Sequence, residues 1–304
     1  MAYQNVGTPR FYLNVLEWLN VNGKLDINDV FRTSPANFKS YDSANYAIPS
    51  ETFNSKAFIA ILGHTLSSDN YNASLQSDSE NLSVEEIVNI GSGGNNVISP
   101  EYDGWSLATT DQLNGKEQVS VNIAATSAQI GSIVIGRYFD MPRSPDLSLT
   151  MTREYGGVKT IETRGGSSLS NSFYNFAPNW GSKKAWQLGD LDSSIGGRRT
   201  WDLSFSFLSD NLLFQDNPTE KSSVDGVGYE LDDTTDDFTS CVLKYTQGGQ
   251  LPFIFQPDGV DASGGEANNS IDQFAICKFD MNSFQFKQVA NTVYSIKLKI
   301  REVW

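Results

Sequence analysis

Short apolar runs broken by turn residues recur from one end of the chain to the other, and their periodicity is mostly that of strands. KAFIAILGHTL, Lys56 to Leu66, holds the unbroken run Phe58 to Leu62 and predicts a strand buried on both faces. WDLSFSFLS is the strongest period-two pattern, and predicts that Trp201, Leu203, Phe205 and Phe207 share one buried face. YNASLQSD, YDGWSLAT, QVSVNIAA, QIGSIVIGRYF, SCVLKYT, PFIFQPD, QFAICKFD, SFQFKQV and TVYSIKLKIREVW supply further strand candidates. LSLTMTREYGGVKTIETRGG carries two alternating runs around Gly156-Gly157, the pattern of a hairpin. Helical spacing is rare. Residues 10 to 20 (RFYLNVLEWLN) place Phe11, Val15, Leu16 and Leu19 on one helical face, with a strand as the alternative, and SVEEIVNI suggests one helical turn.

Strands in succession without intervening helices predict an all-β chain of antiparallel sheets, in sandwiches or barrels. The length of 304 residues favours two domains. The boundary is expected at MPRSPD, where Pro142 and Pro145 suit an extended connector, giving domains 1–145 and 146–304. Residues 209 to 238 are strongly acidic, from Asp210 through Asp232, Asp233, Asp236 and Asp237, and read as a solvated loop.

A formal net charge of -14 repels phosphate backbones and anionic lipid surfaces, so neither nucleic acid nor membrane is an expected partner. No apolar window is long enough for a transmembrane helix, and the first residues lack the charge and apolar run of a secretory signal. Synthesis and folding in a cytoplasm are expected. Cys241 and Cys277 lie in runs read as strands and are expected to be buried free thiols, with a disulfide as the alternative.

Residues for catalysis are sparse. His64 is the single histidine and ends an apolar strand, where a satisfied core or edge histidine is the simpler account than a general base. The glycine-rich pieces at 91–96, 164–166 and 194–199 lack the Lys-Ser/Thr and strand-to-helix setting of a phosphate loop. Paired carboxylates such as Glu85-Glu86 and Asp232-Asp233 have no spacing that defines a glycosidase, and DDTTDD lacks the EF-hand pattern. No catalytic, cofactor or metal site is therefore expected. The aromatic-acid loop Tyr102, Asp103 and Trp105 is the one candidate for stacking on a sugar, against a core role for the tryptophan.

FIAILGHTLSS, YDGWSLATTD, VSVNIAA and QIGSIVIGRYFDMP together resemble the galactose-binding-like jelly rolls at the front of phage tail proteins. TRGG, NWGSKKAWQL, GRRTWDLSFSFLSD, FIFQPD, FAICKFD and FQFKQVANTVYSIKLKIREVW are similar to a group of phage tail-tip, distal-tail-like proteins. The resemblance implies a jelly roll over 1–145, a β tail-assembly domain over 146–304, and a structural role in the virion tail. The partners it implies are copies of the chain in a ring and other tail proteins. Arg198 and Arg199, flanking WDLSFSF, are the candidate interface residues, against solvated turn positions. The rival functions are a module that recognises a host surface glycan through Tyr102, Asp103 and Trp105, and a glycan depolymerase.

Overall fold

Asn14 divides the first apolar run into two elements. A computed structural model of the chain describes residues 7–23, 39–40, 43–47, 56–64, 73–77, 80–81, 85–88, 104–112, 118–123, 129–174, 179–180, 183–184, 197–214, 236–260, 268–270 and 273–303. Residues Thr8–Asn14 form strand β1 and Val15–Val21 form helix α1, in place of one helix over 10–20. The Asn14 side chain caps the helix, accepting from the Glu17 backbone N–H at 3.0 Å. Aromatic residues before the cap stay in the sheet, while Val15, Leu16 and Leu19 bury the helical face after it.

The next strands are β2 (Lys39–Ser40), β3 (Ser43–Ala47), β4 (Ala57–His64), β5 (Ala73–Ser77), β6 (Glu80–Asn81), β7 (Glu85–Val88) and β8 (Gly104–Thr110). Then come β9 (Gln118–Ile123), β10 (Gln129–Ile130), β11 (Ser132–Asp140), β12 (Thr150–Glu154), β13 (Gly156–Glu162), β14 (Ser168–Tyr174), β15 (Asn179–Trp180) and β16 (Lys183–Lys184). The last are β17 (Arg198–Ser209), the short helix α2 (Asp210–Leu213), a π-helical turn at Thr239–Leu243, β18 (Phe253–Val260), β19 (Ala275–Phe279), β20 (Phe286–Ala290) and β21 (Val293–Glu302).

An 11-stranded sheet dominates, in the order β12-β17-β21-β19-β18-β1-β11-β4-β8-β7, with β20 added beside β21. Its pairings are antiparallel, as expected of the all-β class. β1 sits near the middle, paired with β11 on one side and β18 on the other. Residues from both sides of position 145 thus share one hydrogen-bonded sheet, and the boundary expected there does not divide it. Pro142 and Pro145 lie in the connector between β11 and β12, which enter the same sheet at different places.

Strand alternation sorts the core into two layers. Phe11, Leu13, Ile59, Ile61, Phe253 and Phe255 face one side, where a large cluster extends to Trp201, Leu203 and Ile300. Tyr12, Phe58, Ala60, Leu62, Trp105 and Ile254 face the other, in a smaller cluster. The larger layer is concave. Trp201 on β17 and Phe255 on β18 are three strands apart, roughly 14 Å on a flat sheet, yet their ring centroids lie 5.3 Å apart. At its centre β1 and β11 approach so closely that a Cβ on Gly136 would lie 1.7 Å from the Leu13 carbonyl oxygen.

Four local expectations need correction. The described part of SVEEIVNI, Glu85–Val88, is strand β7, paired with β8, in place of a helical turn. The runs around Gly156-Gly157 do not pair with each other: β12 pairs with β17 and β13 with β14, so the hairpin turns at 163–167. SCVLKYT belongs to a helical segment that buries Phe238, Cys241, Val242 and Tyr245, with Asp237 accepting from the Ser240 N–H at 2.8 Å at its start. Phe207 leaves the buried face of β17, because a bulge between Phe205 and Leu208 inserts one residue and hands the core position to Leu208.

Candidate assembly surface

The hairpin β13–β14 stands clear of the core. Every residue from Thr152 to Ser172 is exposed, including Val158 (67%), Ile161 (55%) and Leu169 (60%). Ile161 and Leu169 are direct cross-strand partners, which sets an apolar pair in open solvent. At the tip, Thr163 and Ser167 close the turn through Thr163 N–H to the Ser167 carbonyl (2.8 Å) and Ser167 N–H to Thr163 Oγ1 (3.1 Å). Gly166 takes the left-handed conformation there (φ +78°), which explains the second glycine of the RGG sequence. A two-stranded hairpin without a covering layer is marginal in water. This one has its hydrogen bonds but no apolar cover within the described residues.

A second exposed apolar spot lies at the opposite end of β12. Asp146 accepts from Ser206 Oγ (2.8 Å) and donates its backbone N–H to the Ser204 carbonyl (2.7 Å), which pins a turn against the outer face of β17. Leu147 in that turn is 99% exposed, and Phe207 beside the same hydrogen bonds is 67% exposed. Phe207 has φ +60°, the left-handed position of a bulge where glycine is the ordinary occupant.

The residues singled out in the sequence fall elsewhere. Arg199 is buried, and its guanidinium forms a double contact with Glu302 (Nε to Oε2 3.0 Å, Nη2 to Oε1 2.9 Å) and donates to the Phe274 carbonyl at 2.6 Å. It is an internal clamp between strands, and an intersubunit role for it is withdrawn. Arg198 is half-buried, opposite Glu154 in the β12–β17 ladder. Trp105 is 1% exposed and packs against Phe274 at 5.1 Å, so it cannot stack on a sugar. Tyr102 and Asp103 lie outside the described residues, as does most of the acidic stretch before Asp236.

Reactive groups are enclosed. His64 Nε2 and Ser106 Oγ are 2.8 Å apart, the contact that begins a Ser-His catalytic pair, but both residues are sealed in the sheet. Both cysteines are free and buried, though Cys241 is on the helical segment and not on a strand. Burial pushes the Cys241 thiol up to about 12, with the carboxylates of Asp236 and Asp237 adding to the shift and Arg137 opposing it. Burial also holds Cys277 well above its ordinary value, with Glu302 reinforcing and Arg199 opposing. Neither is a thiolate nucleophile near neutral pH.

Among the described residues no group of three or more His, Cys, Asp or Glu is placed to hold a metal ion, and no helix is long and apolar enough to cross a membrane. Sequence reasoning missed the hairpin arm because it set the turn at Gly156-Gly157, one strand too early, and so paired the run before those glycines with the run after them. Its signal was composition: SSLSNSF offers no continuous apolar face. Compared with known proteins, the chain matches no family model, and no curated protein matches it in sequence.

Proposed function

We propose that this chain is a non-enzymatic structural subunit of a bacteriophage tail that acts by assembling with copies of itself and with other virion proteins. The observation that carries the reading is the β13–β14 arm, which exposes Val158, Ile161 and Leu169 with no apolar layer over them among the described residues. Exposed apolar residues on an ordered projection are the raw material of a protein interface. Among the described residues strand β12 pairs with β17 alone, which leaves its other backbone edge, beside the arm, for an incoming strand. The tail assignment rests on the sequence resemblance of the strand motifs, and the enclosed His64, Cys241 and Cys277 agree with a role without catalysis. Trp105 is buried and offers no exposed ring to a glycan, which favours the assembly reading over a glycan-binding module.

Light scattering on the purified chain across a wide concentration range tests assembly, with a mass above 33.5 kDa expected as concentration rises. Mass spectrometry of purified particles tests the tail role. A strictly monomeric protein that is also missing from particles defeats the proposal.

A further inference from the structure

We infer that the hairpin arm of one copy docks on the Leu147–Phe207 spot of a second copy, a head-to-tail contact that repeats around the assembly. The inference rests on the assembly reading and names its contact. Two observations define the spot. Phe207 is a bulky aromatic held left-handed and outward at a bulge, a backbone position that favours glycine. Strain of this kind persists where the surrounding structure enforces it and gathers at functional surfaces. Leu147 and Phe207 each directly follow a residue of the Asp146–Ser206 hydrogen bond, which places the two exposed apolar residues near each other on the outer side of β17.

The occupant follows from position and charge. The turn with Leu147 leads into one end of the edge strand β12, while the arm leaves from its other end after Glu154. Both surfaces are exposed, so the arm does not reach the spot within its own chain. A surface at each end of one edge is the arrangement that head-to-tail association uses, closing into a ring when the rotation permits. Residues 156–174 hold Lys159, Arg164 and Glu162, one net positive charge in a chain of net charge -14, so the arm is a part of the chain that an acidic second copy does not repel. The exposed Ile161–Leu169 pair offers apolar surface to meet Leu147 and Phe207.

Leu147→Cys combined with Ile161→Cys in the full chain tests the contact, because Cys241 and Cys277 are buried and the introduced thiols are the accessible ones. Mild copper-catalysed oxidation is expected to give a ladder of covalent multimers from the double variant and none from either single variant. Covalent dimers from Ile161→Cys alone mean arm-on-arm pairing and overturn the inference. A double variant that associates by light scattering but yields no ladder overturns it too, with assembly intact. A monomer at every concentration sinks the assembly reading and the inference with it. Phe207→Gly supplies a second readout: it relieves the backbone strain, so the melting temperature should hold or rise while association weakens by about tenfold or more. Unchanged association in that variant would count equally against the docking spot.

Discussion

Arg199 and Glu302 show how far one residue's surroundings decide its role. A guanidinium that the sequence places in a turn is enclosed at the end of the concave core, over the Trp201 ring at 5.3 Å and against Cys277. Two charges withdrawn from water are tolerated here because the contact is doubled and Phe274 accepts a further hydrogen bond. Glu302→Gln should destabilise the fold by about 3–5 kcal/mol in chemical denaturation, since it leaves a buried cation without its counter-charge. Replacing both residues with apolar side chains should cost much less than either single change. The thiols predict a response to alkali. An unfolded Cys241 loses its proton near its ordinary value of 9.0, whereas the folded one keeps it to about 12. Its stabilising effect is therefore complete below 9 and is lost between 9 and 12, at about 1.4 kcal/mol per pH unit. Tyr12 and Tyr245, also raised by burial, act in the same direction from 10.0 upward. Urea midpoints measured from pH 8 to 11 should fall with a slope that Cys241→Ala makes shallower.

Elements were legible wherever one physical effect governed them. β4 is a strand buried along its whole length, as its unbroken apolar run predicts, and β21 keeps its alternation to the end. Legibility failed where a local device intervened. Asn14 ends a strand by capping a helix, and the bulge in β17 moves Phe207 outward without any glycine or proline to announce it. The helical segment after Asp237 was in fact written in the spacing of Phe238, Cys241, Val242 and Tyr245, but its start lies in an acidic stretch that reads as loop. The hairpin arm makes the element-scale prediction. Since residues 156–172 are all exposed, replacing the arm by a short glycine linker should leave the melting temperature within a few degrees while abolishing self-association. Arg164 at the exposed tip should be an early tryptic site in dilute protein, and one shielded in concentrated, associated protein. An arm deletion that unfolds the chain would mean that these strands stabilise the fold through contacts other than burial.

At the scale of the whole molecule, the sheet joins what the sequence separates. Pro142 and Pro145 supply a boundary signal that is correct for a connector, but only long-range pairing decides whether a connector leads to a new sheet or back into the old one. β1 answers that question. Its residues Arg10 to Leu13 pair with Asp140 to Arg137 on one edge and with Gln256 to Phe253 on the other, so its two neighbours come from opposite halves of the chain. Phe11 carries the same link into the core, with its ring centroid 5.4 Å from Phe253, 5.2 Å from Phe255 and 6.0 Å from Phe279. A fragment of residues 1–145 loses these ring partners, and Phe238 with them, and leaves the β18 side of β1 unpaired, while 146–304 loses the strand that pairs with β18. Each fragment alone should give poorly dispersed amide spectra and aggregate through the freed edge, and the intact chain should unfold this core in a single cooperative transition. Mixing the two fragments during refolding should restore dispersion, because the missing contacts are intermolecular equivalents of the same ladder. A well-dispersed spectrum from 1–145 alone would show instead that β1 and β11 with their helix hold together without β18, and that the proline connector marks a true domain boundary.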